Sequence, residues 1–147
     1  MAPPISITVM QSDDYDAVLT LWQRSEGVGL TPADSREAVH AFLVRNPGLS
    51  FVARHDGTII GAVLCGHDGR RGYLYHLAVA LEHRQQGVAR ALVHECLSRL
   101  IAAGIQKATI FVYGHNDSGQ QFWRRVGWKD RTDLVVLQKE TLPATTS

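Results

Sequence analysis

The chain has 147 residues, 45% apolar and 20% charged, the size and composition of one globular domain and not of a disordered segment. Its longest apolar run, Ile59–Cys65, is far short of the roughly 20 residues a membrane helix needs, and Met1–Ser6 has neither the basic nor the apolar part of a signal peptide, so a cytoplasmic protein without a membrane partner is expected. A net charge of +1 argues against bulk electrostatic binding of nucleic acid, and Cys65 and Cys96, with no CxxC or HExxH spacing anywhere, argue against a disulfide framework and a metal centre.

Ile5–Val9 alternates apolar and polar residues and predicts a first strand. Ser12 and Asp13 suit the N-cap of a helix carrying Ala17, Val18, Leu21 and Trp22. Gly27, Gly29, Thr31 and Pro32 make a loop. Asp34 with Glu37 has capping-box spacing and opens a helix through Ala38, Val39, Phe42 and Leu43, which stops near Asn46-Pro47-Gly48. Leu49–Arg54 and Thr58–Cys65 flank Asp56-Gly57, a hairpin signal. Asp68–Gly72 is a second turn, and Tyr73–Leu81 a strand.

Gly87–Ala103 is the longest predicted helix, with Val88, Leu92, Cys96, Leu100 and Ala89, Val93, Leu97, Ile101 on the face packed against a sheet, and Gly104 just past its end. Lys107–Tyr113 reads as a strand, and Ser118 with Gln121 caps a short helix through Phe122 and Trp123 that closes at Val126-Gly127-Trp128. Leu134–Leu137 is the last expected strand, and only Ala2–Pro4 and Thr141–Ser147 read as loose ends. With no repeat or linker, residues 1–147 form a single expected domain. The order β-α-α-β-β-β-α-β-α-β predicts a mixed α/β fold, an antiparallel meander feeding a βαβ crossover with helices on both faces.

Charge is uneven along the chain. Residues 11–37 hold six acids (Asp13, Asp14, Asp16, Glu26, Asp34, Glu37) against Arg24 and Arg36, whereas the remainder is basic. That distribution suits a protein handling a cation on one side and an anion on the other, and equally suits solvated helix faces.

The most informative segment is Arg84-Gln85-Gln86-Gly87-Val88-Ala89-Arg90, between a strand and the longest helix. A helix start offers unpaired N–H groups and a positive dipole end, Gly87 and Ala89 are small, and Arg84 and Arg90 add charge: the parts of a phosphate-binding turn. Neither GxxxxGK[ST] nor GxGxxG is present, so the pyrophosphate of another cofactor is the candidate.

Arg84-x-x-Gly87-x-Ala89, the strand Leu77-Ala78-Val79 before it, and the block Asn116, Gly119, Phe122, Trp123, Gly127 and Trp128 some way after it together resemble the GCN5-related N-acetyltransferase (GNAT) superfamily. The element order matches from Ile5 to Leu137, and Asp68–Gly72 and Leu21-Trp22 are similar to a bacterial subgroup of small acetyltransferases. The resemblance implies the GNAT fold with splayed central strands, and acetyl-CoA as cofactor. By the same resemblance, the backbone of Leu77, Ala78 and Val79 binds the pantetheine arm as an added strand. A β-bulge frees an N–H near Val79 to polarise the thioester carbonyl. The backbone of Gln85, Gln86, Gly87, Val88, Ala89 and Arg90, with Arg84, holds the pyrophosphate. Asn116 contacts the pantetheine, and Phe122 and Trp123 wall the thioester pocket.

The implied chemistry is direct acetyl transfer to a primary amine. An alkyl ammonium with a pKa of about 10 must lose a proton, and the departing thiolate must gain one. Many family members carry an acidic tyrosine where this chain has Trp123, whose indole is no workable acid. Tyr75, then Tyr73, then His76 are the candidates to replace it, with Tyr73, Tyr75 and Leu77 expected on one face by strand alternation. Glu26, in the acidic loop, is the candidate to draw the amine, with Tyr75 beside it. The acceptor is left open between a small molecule, such as a polyamine or amino acid, and a protein amine. A non-catalytic acyl-CoA sensor, an enzyme for longer acyl chains, and a homodimer stand as alternatives. Buried thiols are expected at Cys65 and Cys96, and a solvated basic patch at Arg124, Arg125, Lys129 and Arg131.

Overall fold

Ile5, Ile7 and Val9 turn inward from strand β1 (Ile5–Val9), while Ser6 and Thr8 face water. The computed structural model describes residues 4–142; Ala2, Pro3 and the end of the tail from Pro143, read above as loose, lie outside them. The chain divides into two compact units, Met1–Asn116 and Asp117–Ser147.

In the first unit, α1 (Tyr15–Gln23), α2 (Arg36–Arg45), β2 (Phe51–His55), β3 (Thr58–His67), β4 (Gly72–Val79), α3 (Val88–Ala102) and β5 (Ala108–Ile110) follow β1. The five strands lie in the order β1-β2-β3-β4-β5, antiparallel through β4, with β5 parallel to β4 after the α3 crossover. This is the expected meander and crossover. The Asp56-Gly57 turn has both residues at positive φ, the conformation a tight two-residue hairpin needs. At the β3–β4 turn the Asp68 carboxylate accepts from the N–H groups of Arg70 and Arg71, both at 2.8 Å, which holds its pKa below the usual carboxylate value.

Helices cover both faces. Val18, Leu21 and Trp22 of α1 pack with Val52, Ala62, Leu64 and Ala78. On the other face a Cβ at Gly61 would meet Leu92 and Val88 at 3.1 Å, and one at Gly72 would meet Leu100 at 2.6 Å, so these glycines let α3 approach the sheet. Cys65 of β3 and Cys96 of α3 are both buried; Cys96 Sγ donates to Leu49 O at 3.6 Å, and the neighbouring Cys65 thiol, then burial, push the Cys96 thiol above its ordinary pKa. Both are packing residues, as expected.

Several expectations are corrected. Ile101 is 73% exposed. An i, i+4 row advances about 40° per step, so the row from Ala89 rotates off the core face by its fourth member. Ala17 is also exposed; Tyr15 takes its place in the core. The Asp14 carboxylate caps Gln11 N–H (2.9 Å), while Ser12 Oγ bonds to His40 Nδ1 (2.6 Å), so neither Ser12 nor Asp13 caps α1. Ser35, accepting from Ala38 N–H at 3.1 Å, caps α2 in place of Asp34. Strand β5 has three residues, not seven, for a reason given below. The Schellman closure at Gly104 (φ 81°) is as read: Ile105 N–H reaches Leu100 O and Gly104 N–H reaches Ile101 O.

The second unit contains α4 (Asp117–Arg125). Its buried Trp123 meets Phe122 edge-on at 5.2 Å and Trp128 at 4.9 Å, and Trp128 N–H closes on Trp123 O. Arg124 is held by Asp130 and Arg131 by Asp133, each through two bonds of 2.8–2.9 Å, so two of the four basic-patch cations are neutralised locally. Leu134–Leu137 is not a strand, and Val135 is 83% exposed. Leu-Val-Val-Leu lacks period-two alternation, and a strand exists only by pairing its backbone groups. No helix among the described residues is long and apolar enough to cross a membrane.

Candidate active site

Strands β4 and β5 pair only between Gly72–Leu74 and Ala108–Ile110. Beyond Leu74, β4 runs on through Tyr75–Val79 with no β5 partner, which is why the predicted strand through Tyr113 stops at Ile110. The cause is a bulge. Ala62 faces Ala78 and Leu64 faces Tyr75, so Val63 alone stands opposite both His76 and Leu77, and His76 has φ 54°. Such an extra residue bends its strand and ends regular pairing. Past the bulge, Ala80 N–H bonds to Ile60 O at 2.7 Å. Bonded and non-bonded residues alternate along an antiparallel ladder, so the Val79 amide turns away from β3 while that of Ala78 turns toward it. The Val79 carbonyl accepts from Arg84 Nε at 3.2 Å.

A short 3₁₀ turn, Leu81–His83, then leads to the phosphate-turn candidates. Gln85 (φ 63°) and Gly87 (φ 80°) are both left-handed, and Arg84–Gly87 are exposed. The first helical bond is Ala91 N–H to Gly87 O, so the amides of Val88, Ala89 and Arg90 have no intrahelical acceptor. Left-handed residues beside helical ones converge successive N–H groups on one point, a concave anion site. A Cβ at Gly87 would meet nothing within 4 Å. Glycine is therefore required by conformation, and the space in front of the turn is open. Arg84 is used on Val79, and Arg90 stays exposed.

The bulge also corrects the reading of faces. Tyr75 and Ala78, not Tyr75 and Leu77, belong to the cluster under α1, because the extra residue reverses the alternation. The aromatic rings form a row: Phe42 to Tyr75 (6.1 Å), Tyr75 to Tyr73 (6.3 Å) and Tyr73 to Phe111 (6.2 Å). Burial, and then the neighbouring Tyr73, raise the Tyr75 phenol above its ordinary pKa, so it holds its proton at neutral pH. His76 turns to the α1 side as well. Its ring meets Trp22 edge-on at 5.0 Å, its Nε2 lies 2.8 Å from Asp34 Oδ1, and its carbonyl accepts from Trp22 Nε1 at 3.1 Å.

Asp34 is the residue that sequence reasoning missed. Its other oxygen accepts from Thr31 N–H at 3.0 Å and its carbonyl accepts from the Tyr15 hydroxyl at 2.6 Å. The signal available was Ser35, a good N-cap of α2 one position later; Asp34 uses one oxygen to cap Thr31 N–H, which leaves the other for His76.

Glu26 is exposed on the loop after α1. A Cβ at Gly27 would lie 2.6 Å from Asn116 Nδ2, and one at Gly29 would fall on the Tyr113 hydroxyl, so this loop lies against the segment that follows β5. Glu26, Asn116, Tyr73 and Tyr75 thus share the first unit with the β4 bulge and the phosphate turn; Phe122 and Trp123 belong to the second.

Comparison with known proteins agrees with this geometry. The model of the acetyltransferase (GNAT) family matches residues 15–128. The chain belongs to the GNAT acetyltransferase family. An acetyltransferase of Photorhabdus laumondii is 34% identical, and one of Sodalis glossinidius 31% identical, each over 94% of this chain and 96% of the relative. A paiA N-acetyltransferase from Thermoplasma acidophilum, solved with coenzyme A, shares the fold at a TM-score of 0.77 and 20% identity, over 86% of this chain and 90% of that one. The protein is thus an N-acetyltransferase with acetyl-CoA as cosubstrate, and the parted β4–β5 pair is the splay its family fold implied.

Proposed function

We propose that this acetyltransferase modifies a cationic primary amine, and that the gap between β4 and β5 receives the acetyl-CoA thioester. The supporting observation is the bulge at His76, which ends β5 pairing and turns the Val79 amide away from β3 a few residues before the turn Gln85–Arg90 at the start of α3. In this reading Leu77 and Val79 offer backbone groups to the pantetheine, with Ala78 as the small residue between them. Val79 N–H polarises the thioester carbonyl. Gln85, Gln86, Gly87, Val88, Ala89 and Arg90 bind the pyrophosphate, Arg84 braces the strand end, and Asn116 lies along the pantetheine.

Acetyl-CoA supplies an activated acetyl group. The protein aligns it, gives the departing sulfur a proton, and takes one from the amine. Tyr75, with its raised pKa, is the donor to sulfur, and Tyr73 stacks beside it. Tyr75→Phe is expected to lower kcat about a hundredfold and leave acetyl-CoA affinity within twofold; equal kcat in the two proteins removes Tyr75 from the chemistry.

Glu26 pairs with no cation among the described residues, whereas Asp14 and Asp16 are engaged by Arg54 and Arg36. Its charge is available to an ammonium group. Glu26→Gln is expected to raise KM for the best amine of a panel of spermidine, lysine and an alanyl peptide about fivefold, in line with an exposed charge pair of ~1 kcal/mol. An unchanged KM retires the assignment.

Residues 1–147 are proposed as one domain, since Asp117–Ser147 is shorter than the ~40 residues that usually fold alone. Free, buried Cys65 and Cys96 suit a reducing cytoplasmic setting.

A further inference from the structure

His76 combines three features that a purely structural histidine does not need. It occupies the left-handed position of the bulge, which non-glycine residues enter only when their surroundings hold them there. Its Nε2 is engaged by a buried carboxylate, Asp34, which is itself held by Thr31 N–H. Its Nδ1 makes no hydrogen bond. Since no buried side-chain nitrogen or oxygen among the described residues lacks a partner, Nδ1 reaches solvent. A carboxylate at Nε2 fixes the tautomer that carries its proton there and leaves the Nδ1 lone pair outward. Of the groups in contact with the ring, Asp34 is charged and Trp22 is not titratable.

From this geometry we propose that His76 Nδ1 is the proton acceptor for the amine, with Asp34 as its positioning residue. The inference rests on the acetyl-transfer reading above. The ammonium gives one proton to Nδ1. The nitrogen lone pair then forms the N–C bond to the acetyl carbon as the C–S bond breaks, and the bonding pair leaves on sulfur. Tyr75 gives its proton to the departing sulfur, and the nitrogen's second proton, lost as the amide forms, passes through water to the Tyr75 phenolate and restores it. The proton on Nδ1 passes to solvent. The bulge sets the alignment: it turns His76 to the face of Tyr75 and, a few residues on, points the Val79 amide into the gap. One distortion would then place the acceptor of the amine proton and the donor to the thioester carbonyl on the same stretch of strand.

The test uses the full chain and thiol release from acetyl-CoA with the best amine of the same panel. His76→Asn is the primary variant, because asparagine tolerates the left-handed conformation but cannot take a proton, and His76→Gln, whose longer amide reaches the Nε2 position and can still bond Asp34, is its companion. We expect kcat to fall about a hundredfold near neutrality, with acetyl-CoA affinity by calorimetry within twofold, and the deficit to shrink above about pH 9, where the amine deprotonates unaided. Asp34→Asn should keep the side chain's shape and lower kcat about tenfold with acetyl-CoA affinity within twofold, since the ring loses the carboxylate that orients it. A structural tie would lower the activity of the His76 variant equally at every pH, with no recovery above about pH 9, and that outcome overturns the proposal. So does wild-type turnover in the His76 and Asp34 variants. If the acetyl-transfer reading itself is wrong, the wild-type chain releases no thiol with any amine, which distinguishes the two failures and sinks both.

Discussion

Replacing Gly87 by valine should weaken acetyl-CoA binding by about tenfold or more and leave the fold intact. Gly87 sits at φ 80° as the N-terminal cap of α3, with open space where a Cβ would go. A side chain there meets no atom, so the penalty is conformational. A β-branched residue in the left-handed region costs ~1–2 kcal/mol, and the backbone relieves that strain by rotating out of it. Rotation turns the adjacent amides away from the point on which Gln85–Arg90 converge. A loss of ~1.4 kcal/mol in binding is tenfold in Kd. Calorimetry with acetyl-CoA measures it, and dephospho-CoA should show the same ratio, because the defect lies at the pyrophosphate. Unfolding should shift by no more than the local strain, since Gly87 is exposed. Wild-type affinity in the valine variant would take the turn out of the cosubstrate site.

Trp22→Ala should remove ~3–5 kcal/mol of folding stability, the cost of emptying a fully buried aromatic site. Trp22 is 0% exposed among Val18, Leu21, Val52, Ala62, Leu64 and Ala78, and it joins α1 to the sheet. That is a large part of the ~5–15 kcal/mol a domain possesses, and at ~2–4 °C per kcal/mol it lowers Tm by about 10 °C. Trp22→Phe separates volume from hydrogen bonding. It keeps most of the ring and loses only the Nε1 bond to the His76 carbonyl, leaving a partly buried acceptor unpaired at ~1–3 kcal/mol. The expected order of Tm is wild type, Phe, Ala. Because the lost bond holds the bulge, the Phe variant should lose activity beyond its loss of stability, measured well below its Tm. A Phe variant with wild-type Tm and wild-type kcat would show that Trp22 contributes only bulk.

The elements were legible where one local signal decided them. Asp56-Gly57 and Gly104 had to be turns because their backbone angles suit few other residues. Ile5–Val9 and the Val88–Leu100 row follow from simple periods. Legibility failed where two local signals competed. Asp34 and Ser35 both qualify as the cap of α2, and only packing decided that Ser35 caps it while Asp34 caps the turn before it and meets His76. Leu134–Leu137 has the composition of a strand, but composition does not supply a hydrogen-bonding partner.

The same division runs through the site. Arg84–Arg90 could be proposed from sequence because a phosphate turn is made from consecutive backbone amides, and consecutive residues are what a sequence displays. Tyr73, Tyr75 and Glu26 were recognisable as residue types, but their faces were not. Strand alternation assigned Leu77 to the face of Tyr75, and one inserted residue opposite Val63 reversed it. A bulge belongs to the pairing of two strands, so neither strand encodes it alone. The sequence by itself determined the family and the order of elements as far as α4, since each is written in short-range spacing. Only the tertiary structure decided where β4 leaves β5, which way His76 faces, and that a carboxylate 42 residues away in sequence meets it at 2.8 Å. Those depend on contacts between distant segments, whose geometry is set by the packing of the whole sheet against α1.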